Sequence, residues 1–178
     1  MEPLTSTHPD STSATTKAPK PVEVARAIFD ALAKKDLDAA FEFVGEDAID
    51  DFVAIGRFEG KVAIRGFFDE LLAAFPDFEI TVDQIVGDRG HAVVQWHAAG
   101  AFTGGPFQGI EPTGKHAEIR GVDVMEIASG KVQHNTIYYD GAAFARQIGL
   151  LPGAGSAADK VMLSGFNAAT RLRKAIRR

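Results

Sequence analysis

From His116 to Ile127 the chain alternates with a period of two. Ala117, Ile119, Gly121, Asp123, Met125 and Ile127 fall on one side of an extended strand, and His116, Glu118, Arg120, Val122, Val124 and Glu126 on the other. Successive side chains on a strand point to opposite faces, so this run must lay its odd face against a core. Asp123 interrupts that apolar face. A carboxylate there needs a hydrogen-bonding partner or a raised pKa, which makes it the first candidate for chemistry. After Ala128-Ser129-Gly130 a second strand runs to Tyr139. A three-residue loop with Gly130 left-handed pairs Asp123 with Asn135, Gly121 with Ile137 and Ile119 with Tyr139. A two-residue turn instead turns His134, Thr136 and Tyr138 to the Asp123 face. The three-residue register is the preferred reading.

The rest of the chain is arranged around this hairpin. Residues 1–20 are Ser/Thr/Pro-rich with few large apolar side chains, the composition of a disordered tail. Pro21 opens a helix with an apolar stripe at Ala25, Ile28, Phe29 and Leu32, closing on Lys34 and Lys35. Asp36 caps a short helix carrying Leu37, Ala40, Phe41 and Val44. GEDAIDDF (45–52) has four acids and no clear period, and reads first as a solvated loop. A third helix, from about Lys61 to Ala74, sets Ile64, Phe67, Phe68, Leu71 and Phe75 on one side and stops before Pro76. Two strands follow, with Phe78, Ile80 and Val82, then Ala92, Val94, Trp96 and Ala98, on their apolar faces. The loop 103–115 is too rich in Gly and Pro for regular structure. After the hairpin come a short helix from Gly141, capped by Asp140, a Pro/Gly break, and a helical extension over 153–178. Helices first and strands afterwards indicate an α+β fold, a curved antiparallel sheet wrapped around the N-terminal helices.

Composition narrows the function. The net charge of −5 argues against general nucleic-acid binding, and the absence of cysteine excludes thiolate chemistry. No apolar run approaches the ~20 residues that span a bilayer, and the N-terminus lacks the apolar core of a signal peptide. A cytoplasmic protein is the expectation. His97, His116 and His134 are scattered, without the close His/acid spacing of a metal site, and no cofactor signature is present. Arg171, Arg173, Lys174, Arg177 and Arg178 suit the C-terminal end of a helix dipole; contact with a membrane surface or nucleic acid is the alternative reading. Thirteen Phe against one Trp and two Tyr fit an apolar cavity.

Several motifs together resemble one family. AFPDF (74–78), GPFQGIEPTGK (105–115), RGVDVMEI, SGKV and YYDGAAFARQIGLLP (138–152) occur in the order found in SnoaL-like polyketide cyclases of the nuclear transport factor 2-like superfamily. The resemblance covers residues 21–152. It implies a cone-shaped α+β fold with a deep apolar pocket, and a homodimer. It places Asp123 at the polar position of the penultimate strand, and Ile137 where the cyclases carry their acid on the last strand. The ketosteroid isomerase base corresponds to Asp51, or to Asp50 with a one-residue gap. Gln95-Trp96-His97 stands where epoxide hydrolases of this fold have an Arg and an Asp.

The resulting expectation is a pocket for a small, apolar, carbonyl-bearing molecule, with no nucleic-acid or membrane partner. Asp123 moves a proton in a cofactor-independent cyclisation or isomerisation, assisted by Asp50 or Asp51. Asn135 and Tyr139 stabilise an enolate oxygen. Ile137, Trp96, His97, Phe67 and Phe68 line the pocket. The alternatives are a non-catalytic ligand-binding or dimerising protein of the same fold and, less favoured, an epoxide hydrolase.

Overall fold

Helix α1 (Pro21–Ala33) begins as its sequence suggests, with proline in the first turn and the Glu23 carboxylate accepting from the backbone N of Lys20 at 2.9 Å. The computed structural model describes residues 19–176; His8, Arg177, Arg178 and nearly all of the expected N-terminal tail lie outside them. Val24, Ala25, Ile28, Phe29 and Leu32 of α1 are buried. Lys34 and Lys35 fall just beyond the helix rather than in its last turn, because Lys35 adopts a left-handed φ of 59°. Asp36 caps α2 (Leu37–Phe41), accepting from Ala39 N at 3.0 Å.

The acidic stretch read as a solvated loop is a strand, β1 (Val44–Phe52), which also takes Val44 from the preceding helix. From Ala48 its residues alternate: Ala48, Asp50 and Phe52 are buried, while Ile49 and Asp51 on the other face are half-buried. β1 turns back into β2 (Gly56–Glu59), and α3 (Lys61–Ala74) follows over the residues expected of it. Then come β3 (Glu79–Asp88), β4 (His91–Ala101), β5 (His116–Ala128) and β6 (Lys131–Tyr139). The six strands form one sheet in the order β2-β1-β6-β5-β4-β3. Its neighbours are antiparallel except β1 and β6, which run parallel; a sheet expected to be antiparallel throughout therefore has one parallel seam. Register shifts interrupt the β1–β6, β3–β4 and β5–β6 ladders, and extra residues of this kind bend a strand and deepen its twist. The curved sheet and helices α1, α2 and α3 enclose the core, an α+β architecture.

The Gly-rich loop holds α3 in place. Gly104 N donates to Ala74 O and Gly105 N to Ala73 O, both at 3.0 Å, satisfying carbonyls that the helix end leaves free. A Cβ at Gly104 would lie 1.9 Å from Ala73 O, so no larger residue fits this approach. Gln108 adds two hydrogen bonds to the Glu70 carboxylate. Asp140 caps α4 (Gly141–Gln147), accepting from Ala143 N at 2.9 Å.

Past the Pro/Gly break, α5 (Ala157–Ile176) is exposed along almost its whole length, Met162, Phe166 and Ile176 included. Asp159 is its one buried residue, accepting from Gly155 N at 2.8 Å. No helix among the described residues is long and apolar enough to cross a membrane.

Candidate active site

Four adjacent strands carry a line of polar side chains across the inner face of the sheet. Asp50 on β1 lies in register with Asn135 on β6, Asp123 stands on β5, and Trp96 follows on β4. The Asn135 side-chain amide donates to one Asp123 oxygen at 2.8 Å, and the Trp96 indole N–H donates to the other at 2.7 Å. All four residues are buried. Gly121 stands opposite Trp96 and gives the ring its space: a Cβ there would lie 2.2 Å from the indole Cζ2. We expect Gly121→Ala to displace the ring, break its bond to Asp123 and cost about 1–3 kcal/mol. Denaturant unfolding followed by the fluorescence of Trp96, the single tryptophan, measures both effects. Wild-type emission and an unchanged midpoint would refute this packing argument.

Asp123 borders two cavities. The outer one encloses about 100 Å³ and is walled by Phe52, Phe67, Phe68, Trp96, Ile137 and Tyr139 among other apolar residues. Phe67 anchors the α3 wall, its ring centroid 4.4 Å from Phe52, 4.9 Å from Phe58, 5.4 Å from Phe68 and 5.7 Å from Phe107. The inner cavity, about 40 Å³, reaches Asp50 and Asn135 and is otherwise closed by apolar side chains of α1, α2, α3 and the sheet.

Burial pushes the Asp123 carboxyl up to about 6, against the two hydrogen bonds that favour its charged form. Asp50 is raised further, to about 8, by burial first and then by the charge on Asp123. Among the described residues no side chain donates to it to offset those effects. Burial also raises Tyr139, keeping its hydroxyl protonated at neutral pH.

The hairpin reaches this arrangement by a route different from the one expected. It closes through a two-residue turn, Ser129-Gly130, with φ of 53° and 77° and Ala128 opposite Lys131. Alone, that turn would have presented His134, Thr136 and Tyr138 to Asp123. One extra residue, Gln133, then shifts the ladder: Ile127 opposes Val132, but Glu126 opposes His134. Parity is restored, and Asn135, Ile137 and Tyr139 share the Asp123 face. The pairs themselves are displaced by two residues, with Asp123 opposite Ile137 and Gly121 opposite Tyr139.

Other expected residues divide. Ile137, Tyr139, Trp96, Phe67 and Phe68 border the outer cavity. Asn135 borders only the inner one, where its amide N–H is engaged by Asp123. His97 points to the opposite face of the sheet from Trp96, and its Nδ1 lies 2.8 Å from an Asp83 oxygen; strand alternation takes it out of the pocket. The same alternation separates the acidic pair, turning Asp51 away while Asp50 faces inward. Asp50 was legible in the sequence only as half of an ambiguous pair, although Ala48-x-Asp50-x-Phe52 has the same period that exposed Asp123. Among the described residues, no group of three or more His, Cys, Asp or Glu is placed to hold a metal ion.

The sequence profile of the SnoaL-like polyketide cyclase family matches residues 22–148. Among solved structures, a protein of Jannaschia sp. CCS1 inferred to be a SnoaL-like polyketide cyclase is 25% identical, with a TM-score of 0.66 over 74% of this chain and 93% of that one. IdmH of Streptomyces antibioticus, inferred to be a polyketide cyclase, is 21% identical, with a TM-score of 0.62 over 74% of this chain and 99% of that one. A Catenulispora acidiphila protein with a ketosteroid isomerase-like fold is 16% identical, with a TM-score of 0.60 over 71% of this chain and 92% of that one. No curated protein matches the sequence.

Proposed function

The chain belongs to the SnoaL-like polyketide cyclase family, and from that premise we propose that it is an acid/base enzyme acting on a small, neutral, carbonyl-bearing molecule. One observation carries this reading: Asp123 is the carboxylate at the floor of an apolar pocket, oriented by two N–H donors and with a pKa of about 6. At pH 7 it is mostly ionised, hence a base, and its pKa lies close to the operating pH, where proton transfer is most effective.

An Asp123 oxygen takes a proton from the carbon beside a carbonyl. The C–H electron pair becomes a C=C bond and the carbonyl oxygen takes the charge, with the protonated Tyr139 hydroxyl as its donor. In a cyclisation the nucleophilic carbon then attacks a second carbonyl of the same molecule, and the new alkoxide recovers the proton from Asp123. In an isomerisation Asp123 returns the proton to a different carbon. Both routes are redox-neutral and balance within one molecule. The enclosed volume of about 100 Å³ is below the ~150 Å³ of a cavity that accepts benzene. A short ketide end or the edge of a ring therefore suits the floor, with the remainder of the ligand in the mouth.

Exchange of α-hydrogens of monocyclic and bicyclic ketones in D₂O, followed by NMR, tests this reading without the natural substrate. Acceleration over buffer by ~10²-fold or more is the expected result for a positioned base. Binding of the ketones with no acceleration would instead support a second reading, a non-catalytic ligand carrier. That reading is favoured by Ile137, which pairs with Asp123 at the position where the cyclases it resembles carry their acid.

A further inference from the structure

The inner cavity holds the group that the proposed reaction leaves unused. Asp50 is buried there, one strand removed from Asp123: β1 and β5 flank β6, so their backbones are roughly 10 Å apart at ~4.8 Å per strand spacing. Asp50 does not border the outer pocket, and Asp123 borders both spaces. Between the two acids stands Asn135, whose amide N–H is engaged by Asp123 while its Oδ1 is buried without a partner among the described residues. An orphaned buried acceptor is costly, and this one lies in register with Asp50. A cavity of about 40 Å³ exceeds the ~15 Å³ that one water requires. Two carboxyl groups and an amide oxygen supply the polar partners that buried water needs.

We propose that Asp50 and Asp123 form a proton-sharing dyad split between two cavities. Water in the inner cavity joins them, and Asp50, without touching the ligand, stays protonated beside the Asp123 carboxylate, so that the pair holds a single negative charge. Asp50 is thus a positioning residue, and its catalytic meaning rests on the acid/base reading above. With Asp50 protonated, the dyad carries one negative charge, on Asp123. When Asp123 takes a proton from the ligand, that charge passes to the ligand oxygen and leaves both acids neutral. With Asp50 ionised, a second negative charge would stand behind the forming enolate and oppose it. The dyad thereby favours neutral ligands and disfavours carboxylates.

The surroundings leave these two acids to titrate against each other. Residues of α1, α2 and α3 bordering the inner cavity, such as Ile28, Phe29, Phe41 and Ile64, are apolar. Arg65 lies over the outer side of the Phe41 ring, 5.4 Å from its centroid, and pairs at the surface with Asp38 and Asp69. Asp51 and His134 belong to the opposite face of the sheet, and Tyr139 faces Asp123 from the outer pocket. Separate steps near 6 and 8 are the behaviour of such a coupled pair.

Trp96 provides the reporter, because the single indole N–H of the chain donates to Asp123. In ligand-free ¹H–¹⁵N spectra its resonance is expected to move in two steps, near pH 6 and near pH 8. Asp50→Asn should retain the first step and lose the second. ¹³C carboxyl shifts in aspartate-labelled wild-type protein give the same two midpoints should that variant fail to fold. A single indole step in the wild type, or an unchanged two-step curve in Asp50→Asn, overturns the dyad. Neither measurement involves ligand or turnover, so inertness towards ketones would count against the proposed reaction and leave the dyad standing.

Discussion

Asp123→Asn is expected to lower ketone α-hydrogen exchange by ~10²–10⁴-fold, the contribution of a positioned general base, while the protein stays folded. The argument is geometric. The new amide keeps the volume of the carboxylate, and its oxygen can still accept from the Trp96 indole N–H, as the carboxylate does at 2.7 Å. Its NH₂ would then meet the Asn135 NH₂, donor against donor. Asn135 resolves the conflict by exchanging its amide ends, because its Oδ1 is free to accept. Both hydrogen bonds survive, and a buried charge has gone. Far-UV circular dichroism and a melting curve establish the fold, and exchange kinetics establish the loss. Wild-type exchange in a folded Asp123→Asn protein would remove Asp123 from the chemistry.

The sequence was most informative where an alternating pattern coincided with strong local signals. The period-two runs of β4 and β5, the proline ending α3 and the aspartates capping α2 and α4 identified those elements and the apolar face on which Asp123 stands. β1 was lost because four acids in GEDAIDDF obscure its alternation. Two of them, Glu46 and Asp47, are exposed, Asp51 occupies the outer face, and only Asp50 turns inward. Burying a carboxylate contradicts local preference, and such conflicts are expected where function overrides packing. The parallel pairing of β1 with β6 joins segments far apart in the chain, which local periodicity does not report. The hairpin register differs from the expected one because turn type and bulge vary independently. The actual two-residue turn and the extra residue at Gln133 compensate, so the face was inferred correctly from incorrect pairs. The role of Trp96 depends on Gly121 across the strand pair, and neither residue signals the other in sequence.

Asp50→Asn should reveal in stability what the inner cavity costs the fold. The Asp50 carboxyl is raised from 3.8 to about 8, so between those values the folded protein binds a proton that the unfolded chain has released. Stability therefore falls as pH rises through this window and levels off above it. Asp123, raised to about 6, adds a decline of the same sign that ends earlier. Well below pH 3.8 both acids are neutral in either state, and this contribution is fully retained. Above pH 8 the folded protein carries a second buried negative charge, at a cost on the order of several kcal/mol. Asparagine cannot ionise, and its NH₂ can donate to the unpartnered Asn135 Oδ1. The variant should match wild type near pH 4 and melt about 10 °C higher at pH 9, since ~1 kcal/mol moves the midpoint of a chain this size by about 2–4 °C. Melting temperatures measured from pH 4 to 9 test the sign as well as the size. Parallel curves for the two proteins would show that Asp50 ionises in the folded state as readily as in the unfolded chain, whereas a divergence that grows from about pH 4 to 8 and then holds constant identifies a carboxyl held neutral by its burial.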